Sequence, residues 1–317
     1  MRIERFIALS LNPALDTTLW IDGLEREYNQ VLGEQCEAAG KAVNVARVLK
    51  AFDCPCKTLI LAGENNRRKY FSRLDSDAID YDAVFLSGEI RENISLVLPD
   101  DKMIRLARPG FTVSKAQIDE IKAHLAKMIT PGTLAVVAGK NPIGLSEAEF
   151  IDLCAFIESK GAVLAVDTSS VKECDICAIR PWIIKPNLEE LELMTGETLD
   201  THEKLAAAFA RFHREGVQHI LLSMGGDGVL YSGGEGSDYQ LLRAEVPQVH
   251  VKSTVGAGDS TLAGFLLSYH KGKAIDECVR VAASFGTASV MIDGTNPPRK
   301  QELEQVYPQV RVSKFIL

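Results

Sequence analysis

The chain has 317 residues, 46% apolar and 25% charged, which suits one large α/β domain or two ordinary ones. A net charge of −8 argues against non-specific binding of nucleic acid, because phosphate contact needs a basic face. A phosphorylated ligand must therefore meet a local basic cluster.

The N-terminal MRIERFIALSLNPALD carries an apolar run, FIALSL, that ends before Asn12-Pro13. That run is too short for a secretion leader or a membrane span. Seven scattered cysteines do not form a disulfide framework. Cys54 and Cys56 flank a proline, and Cys174 and Cys177 form a lone C-x-x-C without a second pair or a suitably spaced histidine. They read as free thiols, and a reducing cytoplasm is the expected compartment.

FIALSL (6–11) reads as a buried strand. Residues 15–38 and 81–108 then break the pattern: TTLWI, VLGEQC, AVFLS, NISLVL and MIRLA look like short strands without helices between them. They predict either a small β-rich lid or a hairpin region that completes the main sheet. A lid suits chemistry that must exclude water. Between them, Ala42, Val45, Ala46, Leu49 and Phe52 mark one face of a helix that begins after Gly40-Lys41. Lys41 and Asn44 fall on its first turn, free to point into a cleft, although a polar start is also routine for a buried helix.

Further along, LAVVA (134–138), VLAVD (163–167), WIIK (182–185) and HILLS (219–223) read as buried strands. Helical spacing recurs at Phe150, Leu153, Cys154 and Ile157, at Leu205, Ala208, Phe209 and Phe212, and at Leu262, Phe265, Leu266 and Tyr269. Strand–helix alternation of this kind predicts a mostly parallel sheet covered by helices on both faces, with ligands at the C-terminal strand ends.

Three stretches carry chemistry. In WIIKPNLEELELMTG (182–196) a strand runs into Lys185-Pro186-Asn187 and a helix opens at Leu188. Asn187 and Glu190 sit at capping-box positions; the same spacing also aims an amide and a carboxylate at a strand end, where they can organise Mg²⁺ through its waters. In LLSMGGDGVLY (221–231) Ser223, Gly225, Gly226 and Gly228 make either a hairpin turn or a backbone loop over nucleotide phosphates. In STVGAGDS (253–260) the apolar stripe that follows places a helix start near Gly258–Asp259. Unpaired N–H groups there, with Gly256, Ala257 and Gly258 allowing close approach, make an anion cradle with Asp259 at its rim. The alternative is a glycine turn with a capping aspartate. An ordinary aspartate ionises near pH about 3.9, and a helix N-terminus favours its charge. A carboxylate beside an anion cradle fits proton removal from a hydroxyl that attacks a phosphoryl group. Thr261 stands where a dinucleotide fingerprint needs its third glycine, and no G-K-[ST] is present.

Taken together, TVGAGDS, SLNPALDTTLWI, GKAVNVARVL, KPNLEELE and SMGGDG resemble the ribokinase-like (PfkB) carbohydrate kinases over essentially the whole chain. The second and third are similar to the branch of 1-phosphofructokinase and tagatose-6-phosphate kinase. The resemblance implies an αβα sandwich with a β-sheet lid as one domain over 1–317, with ATP and Mg²⁺. By position it implies Asp259 as base and Gly256, Ala257 and Gly258 as anion hole. It implies Lys185, Asn187, Glu190, Ser223, Gly225 and Gly228 on the nucleotide side, Glu190 serving Mg²⁺ through water. Asp16, Gly40, Lys41 and Asn44 would hold the sugar, and Arg91, Asn93 and Lys140 complete the acceptor set. The chain departs from the branch at Ala42, at Lys140 (usually serine), at Ser95 (usually a lysine that helps hold a substrate phosphate), and over 63–81. Lys140 or Arg105 can return the lost charge from another direction. Three activities stay open: a ketohexose phosphate kinase, a kinase for an unphosphorylated sugar or nucleoside, and a catalytically weak sensor. The lid also suggests a homodimer, since an exposed sheet needs cover.

Overall fold

The computed structural model describes residues 2–24, 27–100, 102–234 and 239–315. Residues 25, 26 and 101 of the expected lid segments lie outside the described set.

The strands are β1 (Arg5–Ser10), β2 (Ala14–Ile21), β3 (Val31–Ala39), β4 (Cys56–Gly63), β5 (Tyr81–Leu86), β6 (Arg91–Val97), β7 (Met103–Ala107), β8 (Thr133–Ala138), β9 (Val163–Asp167), β10 (Ile183–Ile184), β11 (His219–Ser223), β12 (Val229–Gly233), β13 (Gln240–Glu245) and β14 (Arg311–Lys314). The helices are α1 (Lys41–Ala51), α2 (Arg67–Ser76), α3 (Lys115–Met128), α4 (Glu147–Ser159), α5 (Glu173–Ile179), α6 (Leu188–Thr195), α7 (His202–Arg214), α8 (Ala257–His270), α9 (Ile275–Ser289) and α10 (Lys300–Val306).

Ten strands form one sheet in the order β14-β13-β12-β11-β10-β9-β8-β1-β4-β5. From β5 to β11 every pairing is parallel, and β12 to β14 close that edge antiparallel. From β1 the chain builds outward through β4 and β5 and returns to β8 on the other flank. The gap between β1 and β8 is therefore the switch point where open α/β sheets bind ligands.

Both faces of this sheet are dry. Ile7 and Leu9 pack under α3, α4 and α7 with Ile121, Phe150, Phe209 and Phe212. Phe6 and Ala8 point the other way, to Val45, Leu49, Leu262, Phe265 and Ala282 of α1, α8 and α9. This two-sided burial is why β1 reads as a continuous apolar run rather than an alternating one. Each fully buried leucine contributes on the order of 1.5–3 kcal/mol.

The second sheet has four strands in the order β3-β2-β6-β7. Its strands fall within 14–39 and 91–107. The expected lid strand AVFLS is corrected: Ala83–Leu86 lie in β5, which pairs parallel with β4 at the edge of the large sheet. In the small sheet Asp16 stands between Glu37 and Asn93, and Ser95 stands between Thr18 and Arg105. These residues share one face; Leu15, Thr17, Ile94, Ile104 and Leu106 occupy the other.

Candidate active site

Helix α8 begins one residue before the expected start. Its N-cap, Gly256, has φ 79°, a left-handed value that a Cβ would strain. Among the described residues the Gly256, Gly258 and Asp259 amides have no hydrogen-bond acceptor, and Ala257 N–H reaches Thr254 O only at 3.4 Å. Of these, Ala257 and Gly258 line a cleft of about 390 Å³ together with Asn187, Ser223, Gly225 and Gly228. Val229, Val246, Val249 and Val290 make its apolar walls. The cleft has the shape and polarity for a flat base on the valines and an anion at the helix start. A larger open cavity of about 780 Å³ lies beside Phe52 and Pro297, at the far end of α1 from Asn44, without such a cradle.

Asp259 is not at a rim. It is only 5% exposed, and its Oδ2 accepts a 2.7 Å hydrogen bond from Asn44 Nδ2. Burial pushes its pKa up to about 6, helped by the charge of Asp167; the Asn44 bond and the ammonium groups of Lys41 and Lys185 oppose the rise. The expectation that Asp259 is ionised at neutral pH is kept, at a pKa above that of an ordinary aspartate.

The two lysines share a carboxylate. Lys41 Nζ lies 2.9 Å from Asp167 Oδ1 and 2.9 Å from Glu190 Oε1. Lys185 Nζ lies 3.4 Å from Asp167 Oδ2. Burial alone would pull Lys41 down, but the two carboxylates outweigh it and keep the ammonium charged. A Cβ on Gly258 would come within 2.9 Å of Lys185 Nζ, so this ammonium sits against the start of α8 and adds to its pull on an anion. Lys41 and Asn44 are thus not free: the first is paired, the second is buried between Asp259 and Arg47.

The capping reading of the N-x-x-E stretch is the one observed. Asn187 Oδ1 accepts from Glu190 N at 2.7 Å, Glu190 Oε2 accepts from Asn187 N at 3.0 Å, and Glu190 Oε1 accepts from Lys41 Nζ at 2.9 Å. The glycine loop is both hairpin and lining, since β11 pairs antiparallel with β12 while Ser223, Gly225 and Gly228 face the cleft. Among the described residues no three carboxylate, histidine or cysteine side chains converge as a metal cage. An oxygen donor such as Glu190 suits Mg²⁺, which keeps several waters and leans on nucleotide phosphates.

On the lid, Asn93 Nδ2 donates to Asp16 Oδ1 at 2.7 Å, and Arg91 donates to Asn12 O at 3.4 Å and Asn93 Oδ1 at 3.3 Å. Burial raises Asp16, against the Asn93 bond and the charge of Arg91. Gly40, φ 138°, lets the chain turn tightly past Ser10 and Pro13 into α1. Lys140 is exposed and, among the described residues, pairs with no carboxylate. Sequence reasoning missed Asp167, Glu37, Arg47 and Thr295. Asp167 is the last residue of β9, a C-terminal strand end, so its position was legible. Nothing local marks the other three.

A model of the pfkB family of carbohydrate kinases matches residues 10–302. The chain belongs to the pfkB carbohydrate kinase family. A 1-phosphofructokinase of Borreliella burgdorferi is 30% identical over 96% of this chain and 97% of its own. A tagatose-6-phosphate kinase of Staphylococcus epidermidis is 25% identical over 96% and 98%. In fold, the chain is similar to Escherichia coli phosphofructokinase-2 in complex with potassium, at a TM-score of 0.87 and 20% identity over 97% of this chain and 99% of that one. It is also similar to Arabidopsis thaliana ribokinase complexed with ribose and ATP, at a TM-score of 0.76 and 20% identity over 95% and 98%. The ribokinase-like sandwich and the family expected from the motifs are those found. Among the described residues no helix is long and apolar enough to cross a membrane.

Proposed function

We propose that this pfkB kinase transfers the γ-phosphoryl group of ATP to a free hydroxymethyl of a ketohexose phosphate, with fructose 1-phosphate and tagatose 6-phosphate as the nearest models. The observation that carries this is a buried carboxylate, Asp259, next to the unpaired Gly258 amide at a helix start whose Ala257 and Gly258 line a nucleotide-sized cleft. Asp259 takes the acceptor's proton. The oxygen so freed forms a bond to the γ-phosphorus as the bond to the bridging oxygen breaks and ADP leaves with the electron pair. The Gly256, Ala257 and Gly258 amides and Lys185 stabilise the charge on the moving group. Asn187, Ser223, Gly225 and Gly228 line the nucleotide. Glu190 would serve Mg²⁺, which would neutralise phosphate charge.

On the acceptor side Asp16, steadied by Asn93, orients the sugar hydroxyls, with Gly40 and Lys41 below. Arg91, Arg105 and Lys140 meet the existing phosphate. Arg105 stands opposite Ser95 on the Asp16 face of the lid, and its charge acts on Asp16. Neutral Ser95 on that face favours a second reading, a kinase for an unphosphorylated sugar or nucleoside. The seven cysteines are all unpaired, which supports a reducing cytoplasm.

The test is ADP release from Mg·ATP over a panel of ketohexose phosphates, free sugars and nucleosides. Turnover confined to ketohexose phosphates supports the proposal. Turnover only with neutral acceptors supports the second reading, and binding without turnover leaves a sensor and sinks both.

A further inference from the structure

Arg47 lies on α1, one turn beyond Asn44, and is 7% exposed. No step of the phosphoryl transfer needs it. Its guanidinium nevertheless bonds four residues from separate parts of the chain. Nε donates to Asp77 Oδ2 at 2.9 Å, at the end of α2. Nη2 donates to Ala38 O of β3 at 2.6 Å. Nη1 donates to Asn44 Oδ1 at 3.0 Å and to Thr295 Oγ1 at 3.3 Å. Thr295 in turn donates from its backbone N, at 3.1 Å, and its Oγ1, at 3.2 Å, to Glu37 Oε2 on the Asp16 face of the lid.

The donor–acceptor inventory makes this arrangement directional. A guanidinium has donors only, so the atom of Asn44 that faces it must be the amide oxygen. The other end of the same amide is then the NH₂, and it faces Asp259 Oδ2 at 2.7 Å. With the amide turned over, its oxygen would point at a buried carboxylate and its NH₂ at a guanidinium, two repulsive contacts. Arg47 thereby selects the one orientation in which Asp259 receives a donor. A plain ion pair with Asp77 would not require this geometry, and Asp77 is itself 36% exposed in its side chain.

We propose that Arg47 is a positioning residue for Asp259, acting through the amide of Asn44 and tying that carboxylate to the root of the lid. The inference rests on the reading of Asp259 as the base. A donor lost from a buried carboxylate is expected to lower the rate by about 10- to 100-fold.

The test uses the full chain, Mg·ATP and whichever acceptor the panel yields, with thermal unfolding measured alongside. Arg47→Met is expected to lower kcat by about that 10- to 100-fold while KM for ATP stays within about twofold, because the cleft does not include residue 47. Arg47→Lys, which keeps a donor one turn from Asn44, should recover part of the loss and carries the test if the methionine variant does not fold. Asp77→Asn removes only the ion pair and should lower Tm without that fall in kcat. In an Asn44→Ala background Arg47→Lys should have no further effect on kcat. Folded Arg47 variants with unchanged kcat, or losses that simply add in the Asn44→Ala background, overturn the inference while the proposed function stands. A wild-type chain inactive toward every acceptor overturns the proposed function and the inference with it.

Discussion

Burial gives Asp259 its strength as a base and also sets its working range. A folded-state pKa near 6 means the carboxylate is charged at neutral pH and takes its proton as pH falls through 6. The base is needed deprotonated, so kcat/KM should be level above that point and fall about tenfold per pH unit below it. A pH–rate profile with its acid limb near pH 4 would remove the effect of burial from the account. Asp259→Asn should keep ATP affinity and lose about 10²- to 10⁴-fold in kcat, read by equilibrium ATP binding beside steady-state turnover. The aspartate itself was legible, because three small residues ahead of an apolar helix mark an anion cradle. Its burial was not. The bond from Asn44 and the charge of Asp167 reach it from distant parts of the chain and leave no periodic trace near residue 259.

Helix α8 shows how one element serves stability and chemistry in opposition. Alanine is the better helix former by about 1 kcal/mol, so Gly258→Ala should leave Tm unchanged or raise it. The added methyl would crowd Lys185 Nζ away from the helix start. Turnover should then fall by about tenfold, the effect of losing one charge-assisted contact; calorimetry and kinetics on one preparation would show whether the two move apart. In the lid, Arg105→Ala should raise KM about tenfold for a phosphorylated acceptor and leave KM for ATP alone. An equal effect on an unphosphorylated acceptor would disconnect Arg105 from the substrate phosphate. The strands of this region were legible as strands, but their partners were not. AVFLS has the composition of its lid neighbours, and only the parallel register with β4 assigns it to the large sheet. Pairing is a long-range choice that local propensity does not encode.

Across the molecule, the mostly parallel sheet and its two helical layers were legible because buried strands and amphipathic helices alternate with clean periods. The antiparallel edge was less so, since QLLRAE and RVSK are short and polar. Beneath that edge His219 is buried against Trp182 and Tyr231, and burial lowers its pKa from 6.5 to about 4. Unfolded chains take up this proton below 6.5 and the folded chain does not until about 4, so acidification through that window favours unfolding. The loss should reach on the order of 3 kcal/mol by pH 4, and His219→Gln should flatten the fall in urea midpoint over the same range. We further propose that a second copy covers the lid, because Ile104 and Leu106 are exposed on the face away from Asp16. Light scattering should give a dimer, and Leu106→Lys a monomer; a wild-type monomer would refute the arrangement. The small sheet also hangs from very short leashes. β1 stops at Ser10 and β2 starts at Ala14, while only Gly40 separates β3 from α1. Any swing of the cover must pivot on those few bonds and on the links from β5 to β6 and from β7 to α3, moving Asp16 relative to Lys41, which α1 keeps with the body beside Asp167 and Glu190. Splicing extra glycines into either leash should leave the body folded yet make the grip on the sugar slack, an uncoupling that no single side-chain replacement could imitate.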